Sequence, residues 1–114
     1  MPQLLHITHQ DQWQQAQING AYRADSLDSE GFIHCSTPDQ VLWVANTFYR
    51  DQCGLVLLRI DPDRLQSELR YDTIPDGRQF PHVYGEINLD AIVDVIDFPP
   101  ESDGTFALSS TLKV

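Results

Sequence analysis

The sequence is poor in positive charge, and this excludes one large class of partners. Seven Lys and Arg residues stand against 17 Asp and Glu residues, the net charge is -10, and Lys113 is the only lysine. The arginines are scattered and form no basic stripe that could neutralise a phosphate backbone. We therefore expect no binding of duplex nucleic acid, while a local site for a small anion stays open.

Cysteine pairs, apolar runs and phosphate-binding motifs are also missing. Cys35 and Cys53 form no CxxC pair, and the N-terminus lacks the charged and apolar regions of a secretory signal. These absences predict a cytoplasmic protein. The apolar run at residues 55–58 is far shorter than the roughly 20 residues of a membrane helix, so we expect no membrane association. No G-x-G-x-x-G or P-loop sequence occurs, which argues against the common phosphate-binding folds.

What is present predicts one α+β domain. The chain has 114 residues, of which 41% are hydrophobic, and a domain of this size buries roughly two-thirds of its unfolded surface. Strand patterns predict a mixed sheet of about six short strands with two or three helices, and the domain is expected to span residues 1–98. Residues 99–114 are predicted to form a C-terminal tail that is in part disordered. The predicted strands are residues 3–8, 31–36, 54–61, 69–73, 82–87 and 91–98.

Local signals place the other elements. A glutamine-rich helix is predicted around Trp13, and Thr37-Pro38-Asp39-Gln40 has the composition of a capping box that begins a second helix. A helical turn is predicted at residues 61–65, an acidic connector at residues 22–30 and a polar loop at residues 74–81. The strand at residues 54–61 is continuously apolar, which is typical of a strand covered on both faces near the middle of a sheet.

Three of the predicted strands carry a histidine, in LLHIT, GFIHCS and FPHVYG. Strand side chains alternate between two faces, so each histidine shares a face with polar or aromatic neighbours and lies opposite an apolar or small face. We expect the three polar faces to meet in one cleft. The members of these faces are Leu4, His6 and Thr8; Phe32, His34 and Ser36; and His82, Tyr84 and Glu86. His9 lacks this context and is expected on the surface.

Several chemistries could use such a cluster, and they differ in support. A metal site usually takes two ligands close together on one element, whereas these histidines are far apart and Cys35 should point away from His34. The same alternation disfavours a Cys-His nucleophile pair, and two-carboxylate hydrolysis lacks a second acid beside Glu86. Recognition of a polar small molecule such as a nucleotide remains. A His-lined metal site and a purely structural or interaction role stay open as alternatives.

The proposed nucleotide site assigns a role to each residue type. Imidazoles and the hydroxyls of Thr8 and Ser36 can bond ribose or phosphate oxygens, Tyr84 can stack on a flat ring, and Gly85 permits close backbone approach. Arg78, in the turn just before FPHVYG, is expected either to stay in that turn or to pair with a phosphate. Two further aromatic residues have structural interpretations: Trp43 is predicted in the core or on the helix surface, and Tyr22 either in loop packing or at the rim of the cleft.

The same segments resemble the bacterial and plant family called domain of unknown function 952. The resemblance covers nearly the whole chain up to about Phe98 and is carried by LLHIT with Trp13, GFIHCST with Gln40, ANTFY, LVLLRID, and FPHVYGEIN with the following AIV. It implies the fold of the ADP-ribosyltransferase superfamily, in which a split mixed sheet holds NAD in a cleft. The implied ligand is therefore NAD or a related nucleotide.

The resemblance also implies roles at matching positions. His6 would orient a ribose, His34 would lie beside the reacting ribose, and Glu86 would stabilise positive charge at the anomeric carbon. Residue chemistry and the resemblance together predict His6, Thr8, Ser36, His82, Tyr84 and Gly85 as cofactor-binding residues and His34 and Glu86 as the catalytic pair. The resulting hypothesis is an NAD-dependent ADP-ribosyl or phosphoryl transferase, and the alternative is a nucleotide-binding sensor without turnover. The acidic chain favours a small-molecule or protein acceptor over tRNA.

Overall fold

The structure is a computed structural model that describes residues 3–107. It is an α+β fold of short strands and helices, as the sequence predicts, but the described residues contain eight strands where about six were expected. The strands are β1 (Leu4–His9), β2 (Ala21–Tyr22), β3 (Ile33–His34), β4 (Leu55–Ile60), β5 (Glu68–Thr73), β6 (Gln79–Tyr84), β7 (Ile87–Asn88) and β8 (Ile92–Asp97). The helices are α1 (Gln10–Asn19), α2 (Asp25–Ser29) and α3 (Val41–Phe48), and single 3-10 turns span Pro62–Arg64 and Leu89–Ala91.

The strands form a split arrangement of three small sheets. Their orders are β1-β4-β8, β3-β6-β5 and β2-β7. The two larger sheets meet where Leu5 and Ser36 exchange backbone hydrogen bonds of 2.8 Å in both directions. Every strand pair in the described part of the chain is antiparallel, so the expectation of a mixed sheet is wrong. The strand–helix–strand order suggested parallel neighbours, but β4 lies directly beside β1 and runs opposite to it.

Strand β4 has the central position that its apolar run predicts. It pairs with β1 on one side and β8 on the other, and both of its faces are covered. Leu55 and Leu57 pack into a cluster that includes Val41 and Ala45 of α3. The alternate residues of β4 pack into the second cluster, which extends under β2, β3 and β6. Full burial of each such leucine stabilises the fold by roughly 1.5–3 kcal/mol.

The start of α3 keeps one half of the predicted capping box. The Gln40 side-chain oxygen accepts a hydrogen bond of 3.2 Å from the Thr37 N–H, but the Thr37 hydroxyl donates to Asp39 instead of capping the helix. Residues 38–40 consequently form a turn, and the helix begins at Val41. The Gln40 amide also donates to the Gln79 carbonyl at 2.7 Å, which ties this turn to the beginning of β6.

Three boundaries differ from the sequence prediction. The acidic connector at residues 22–30 contains the end of β2 and the whole of α2, and the polar loop at residues 74–81 already contains the first half of β6. The core also continues past residue 98, because Phe106 is 4% exposed and stacks on Phe98 with ring centroids 4.8 Å apart. Residues 108–114 of the predicted tail lie outside the described residues. No helix in residues 3–107 is long and apolar enough to cross a membrane.

Candidate functional site

Sheet β3-β6-β5 presents one face on which polar and aromatic side chains converge. His34 and Arg70 are both register partners of His82, so the three side chains lie across the sheet on one face. Phe32, just before β3, stacks on His82 with ring centroids 4.1 Å apart. Its ring centroid is also 5.0 Å from that of His34 and 5.3 Å from that of Tyr84. We call Phe32, His34, His82 and Tyr84 the ring cluster.

Each imidazole of the ring cluster has its own carboxylate partner. His34 Nε2 lies 2.9 Å from Glu30 Oε2 at a largely exposed position. His82 Nδ1 lies 2.7 Å from Asp72 Oδ2, and the His82 side chain is almost completely buried. The two rings lie edge to face with centroids 5.1 Å apart. The cluster therefore holds two imidazole–carboxylate pairs next to each other, an arrangement that fixes imidazole tautomers and orients the rings.

Asp72 connects the second pair to Tyr84. The Tyr84 hydroxyl donates to the same carboxylate oxygen that contacts His82. Hydrogen bonds from Tyr84 and His82 hold the pKa of Asp72 below its usual value, whereas the bond to Asp72 raises the pKa of Tyr84. Asp72 is therefore an ionised acceptor at neutral pH, and Tyr84 keeps its proton.

Arg70 lies at the edge of the ring cluster with its charge already paired. Its guanidinium makes a two-pronged contact with the Glu68 carboxylate at 2.7 and 3.0 Å. The guanidinium carbon of Arg70 lies 4.6 Å from the centroid of the Tyr84 ring. A phosphate could reach this cation only in competition with Glu68.

His6 and Thr8 lie on the other side of this sheet. Their strand neighbour Leu4 packs in the same core cluster as Ile33, Cys35 and Val83, which are the residues opposite the ring cluster. His6 is 8% and Thr8 3% exposed. The expectation that three histidine faces meet in one cleft is therefore wrong: His34, His82 and Tyr84 are brought together, but His6 and Thr8 are interior residues.

His6 and Thr8 belong to a buried polar network with Tyr22. His6 Nδ1 bonds to the His34 carbonyl oxygen, and His6 Nε2 lies 2.7 Å from the Tyr22 hydroxyl. That hydroxyl lies 2.9 Å from Thr8 Oγ1, which in turn is 3.0 Å from the side-chain oxygen of Gln12. Burial lowers the pKa of His6 from 6.5 to about 4 and raises the pKa of Tyr22 above its usual value. Both side chains are neutral at pH 7.

The hydrogen-bond donors of this network follow from its acceptors. The His34 carbonyl oxygen only accepts, so the proton of the neutral His6 ring lies on Nδ1. The Tyr22 hydroxyl donates to Thr8 Oγ1, and the Thr8 hydroxyl donates to the side-chain oxygen of Gln12. Tyr22 therefore connects His6, whose Nε2 lies against its hydroxyl oxygen, with Thr8 and Gln12.

Three further predicted site residues have structural surroundings. Ser36 is buried at the junction of the two larger sheets. Gly85 accommodates a neighbouring loop, because a Cβ atom at this position would lie 2.9 Å from the Cβ of Ser67. Glu86 lies beyond the end of β6, and its carboxylate is 3.8 Å from Arg23, with about half of the side chain exposed. The carboxylate that contacts His34 belongs to Glu30 and not to Glu86.

Two other expectations concern Cys35 and Arg78. Cys35 lies in the core cluster opposite the ring cluster, as strand alternation predicts, and burial raises the pKa of its thiol to about 12. Arg78 pairs with Asp76, and its guanidinium carbon lies 3.8 Å from the centroid of the Trp43 ring. Trp43 is 41% exposed on α3.

Among residues 3–107, no group of three or more His, Cys, Asp and Glu side chains could hold a metal ion.

Four residues that contact the ring cluster or belong to the buried network were not assigned to the site from the sequence. Glu30 was placed in a connector, and Arg70 and Asp72 were placed in a predicted strand without a role. Tyr22 was left between loop packing and the cleft rim. The alternation of Glu68, Arg70 and Asp72 within ELRYDT can be read from the sequence. Only the pairing of β5 with β6 shows that this face of β5 lies beside His82 and Tyr84.

Comparison with known proteins gives a family and a fold. The profile of the family described as "Protein of unknown function (DUF952)" matches residues 7–95. No curated protein matches the chain. The crystal structure of protein CC0527 from Caulobacter crescentus is similar, with 26% identity over 96% of this chain and 97% of that chain and a TM-score of 0.88. The solution structure of CC0527 is 26% identical, covers 97% of both chains and has a TM-score of 0.84.

Proposed function

The chain belongs to DUF952, a family of proteins of unknown function, and we propose its function from the geometry of the site. The proposed function is binding of a small molecule of the nucleotide class on the ring cluster. The observation that carries it is the position of Phe32, whose ring contacts His34, His82 and Tyr84 on one face of the sheet. NAD is the specific ligand that the family resemblance implies through the ADP-ribosyltransferase fold; the division into separate sheets supports it, whereas the antiparallel pairing of the described strands does not.

The ring cluster offers the two kinds of contact that a nucleoside uses. A base or nicotinamide ring gains about 1–3 kcal/mol by stacking on an aromatic side chain. Each hydrogen bond from a ribose hydroxyl or ring substituent to His34 or a neighbouring carboxylate adds about 0.5–1.5 kcal/mol. One stacked ring with two such bonds therefore corresponds to about 4 kcal/mol, or a Kd on the order of 1 mM.

An NMR titration with NAD, ADP-ribose and AMP tests this proposal. We expect backbone amide shifts concentrated at residues 30–36 and 79–86. Phe32→Ala should weaken binding by about tenfold, because it removes the stacking surface. Tyr71→Ala is the matched control: Tyr71 is 43% exposed on β5, but it alternates with Arg70 and Asp72 and therefore faces away from the ring cluster. Equal binding by both variants, or no shifts at several millimolar ligand, would contradict the proposal.

Turnover is a second candidate function, and the His34–Glu30 pair favours it. In ADP-ribosyl transfer, the bond between nicotinamide nitrogen and ribose breaks, nicotinamide leaves with the bonding electrons, and the acceptor loses a proton as it joins the ribose. His34 is suited to take that proton, and a carboxylate to stabilise the positively charged ribose. On this proposal Glu30 takes the role that the resemblance gave to Glu86.

Nicotinamide release separates a transferase from a sensor. Chromatography of NAD incubated with wild type, Glu30→Gln and Glu86→Gln measures it directly. We expect Glu30→Gln to lose most of the release and Glu86→Gln to retain it. A protein that binds NAD and releases no nicotinamide is a sensor, and loss of release in Glu86→Gln alone would restore the original assignment.

A further inference from the structure

We infer that the ring cluster selects ligands whose flat ring carries hydrogen-bond donors and no negative charge. This inference rests on the proposed function and deepens it, because it specifies which end of a nucleotide the cluster recognises. Three observations support it. They are the ring nitrogen of His82 that has no partner within residues 3–107, the same hydrogen-bond arrangement at His34, and the charges around the rings.

His82 is the strongest of these observations. Its Nδ1 contacts the Asp72 carboxylate, which can only accept a hydrogen bond, so Nδ1 carries the proton and the neutral ring keeps a lone pair on Nε2. Nε2 has no hydrogen-bond partner among the described residues. Every fully buried polar side-chain atom in this part of the chain does have a partner, so Nε2 is not fully buried although His82 is only 5% exposed. A bound donor would satisfy this nitrogen.

His34 repeats the arrangement beside His82. Its Nε2 is directed at the Glu30 carboxylate, which leaves Nδ1 as the acceptor of the neutral ring. The two ring centroids lie 5.1 Å apart, so the two nitrogens without a partner in the described part of the chain belong to neighbouring rings of one cluster. A neutral carboxamide or amino group can donate to them, whereas a carboxylate or phosphate has no proton to give.

The charges around the ring cluster favour the same ligands. Glu30 and Asp72 contact the imidazoles, and the nearest cation, Arg70, is held by both oxygens of Glu68. The aromatic face of Phe32 attracts a cation through its ring quadrupole, whereas Arg70 already lies over the ring of Tyr84. Positive charge on the ligand ring is therefore stabilised, and negative charge is repelled.

Three pyridine ligands that differ in one substituent and in charge test the inference. They are the N-methylated nicotinamide cation, neutral nicotinamide, and nicotinate, which has a carboxylate in place of the amide. NMR titration should rank their affinities in that order, with nicotinamide about tenfold tighter than nicotinate, since each hydrogen bond is worth roughly three- to tenfold. NAD should likewise bind several-fold more tightly than its reduced form, which lacks the ring charge.

Variants assign the effect to the named groups. Glu30→Gln removes an exposed carboxylate and should reduce the preference for the cation over nicotinamide by about threefold, while Glu101→Gln, the same change at an exposed site in a turn near α3, should leave it unchanged. Equal affinity for nicotinamide and nicotinate, or for oxidised and reduced NAD, would overturn the inference while the proposed nucleotide binding stands. Absence of binding by every pyridine ligand and by NAD would overturn both.

Discussion

Replacing His6 tests whether this histidine is an interior structural residue. The pKa of buried His6 is lowered from 6.5 to about 4, mainly by burial, so the unfolded chain binds a proton at this site before the folded chain does. His6 therefore contributes stability that is present above about pH 6.5 and is lost as the pH falls toward 4. The difference between 6.5 and about 4, at roughly 1.4 kcal/mol per pH unit, corresponds to about 3.5 kcal/mol in full, of which about 3 kcal/mol is lost by pH 4.

Urea denaturation between pH 4 and 8 measures this loss. The wild-type free energy of unfolding should fall by about 3 kcal/mol more than that of His6→Gln over this range, because the variant has no group that titrates at this site. Acidic side chains that also titrate are common to both proteins and cancel in the difference. His9→Gln, which removes an exposed histidine from the end of β1, is the control and should follow the wild type. Parallel pH profiles for wild type and His6→Gln would refute the buried, neutral state of His6.

Three further predictions concern the fold. Tyr22→Phe should lower the free energy of unfolding by about 1–3 kcal/mol, because buried His6 and Thr8 each lose a hydrogen-bond partner. In the same denaturation assay, Tyr71→Phe at an exposed site should change it by less than about 0.5 kcal/mol. Phe106→Ala should cost about 3–5 kcal/mol, and an effect below about 1 kcal/mol would place Phe106 outside the core. Gly85→Ala should lower the melting temperature because its Cβ meets Ser67, and it should lower it less in a chain with Ser67→Gly, which by itself removes the hydrogen bond from Ser67 to the Glu86 carbonyl; an equal decrease in both backgrounds would show that the contact is not the cause.

Much of the fold followed from local pattern. The apolar run at residues 55–58 predicted a strand covered on both faces, and β4 is the central strand of its sheet. The two additional strands, β2 and β7, have two residues each and pair with one another across more than sixty positions of sequence. No periodicity can be read from two residues, so their existence depends on tertiary contacts alone.

The candidate site was predictable only in part, and strand pairing explains the difference. Alternation correctly placed His34 on one face and Cys35 on the other. It could not show that the Leu4, His6 and Thr8 face of β1 is covered by Tyr22, because the segment that covers it was interpreted as a connector. A histidine among apolar residues has the same local pattern whether it lines a cleft or closes a buried network.

Transfer of magnetisation between a bound ligand and Phe32 tests the central claim most directly. In a sample of the protein with NAD at several millimolar, nuclear Overhauser effects should connect the nicotinamide ring protons with the ring protons of Phe32 and Tyr84. Nuclear Overhauser effects between NAD and the exposed Trp43 and Phe48 on α3, with none between NAD and Phe32, would contradict the assignment of the ring cluster as the ligand site.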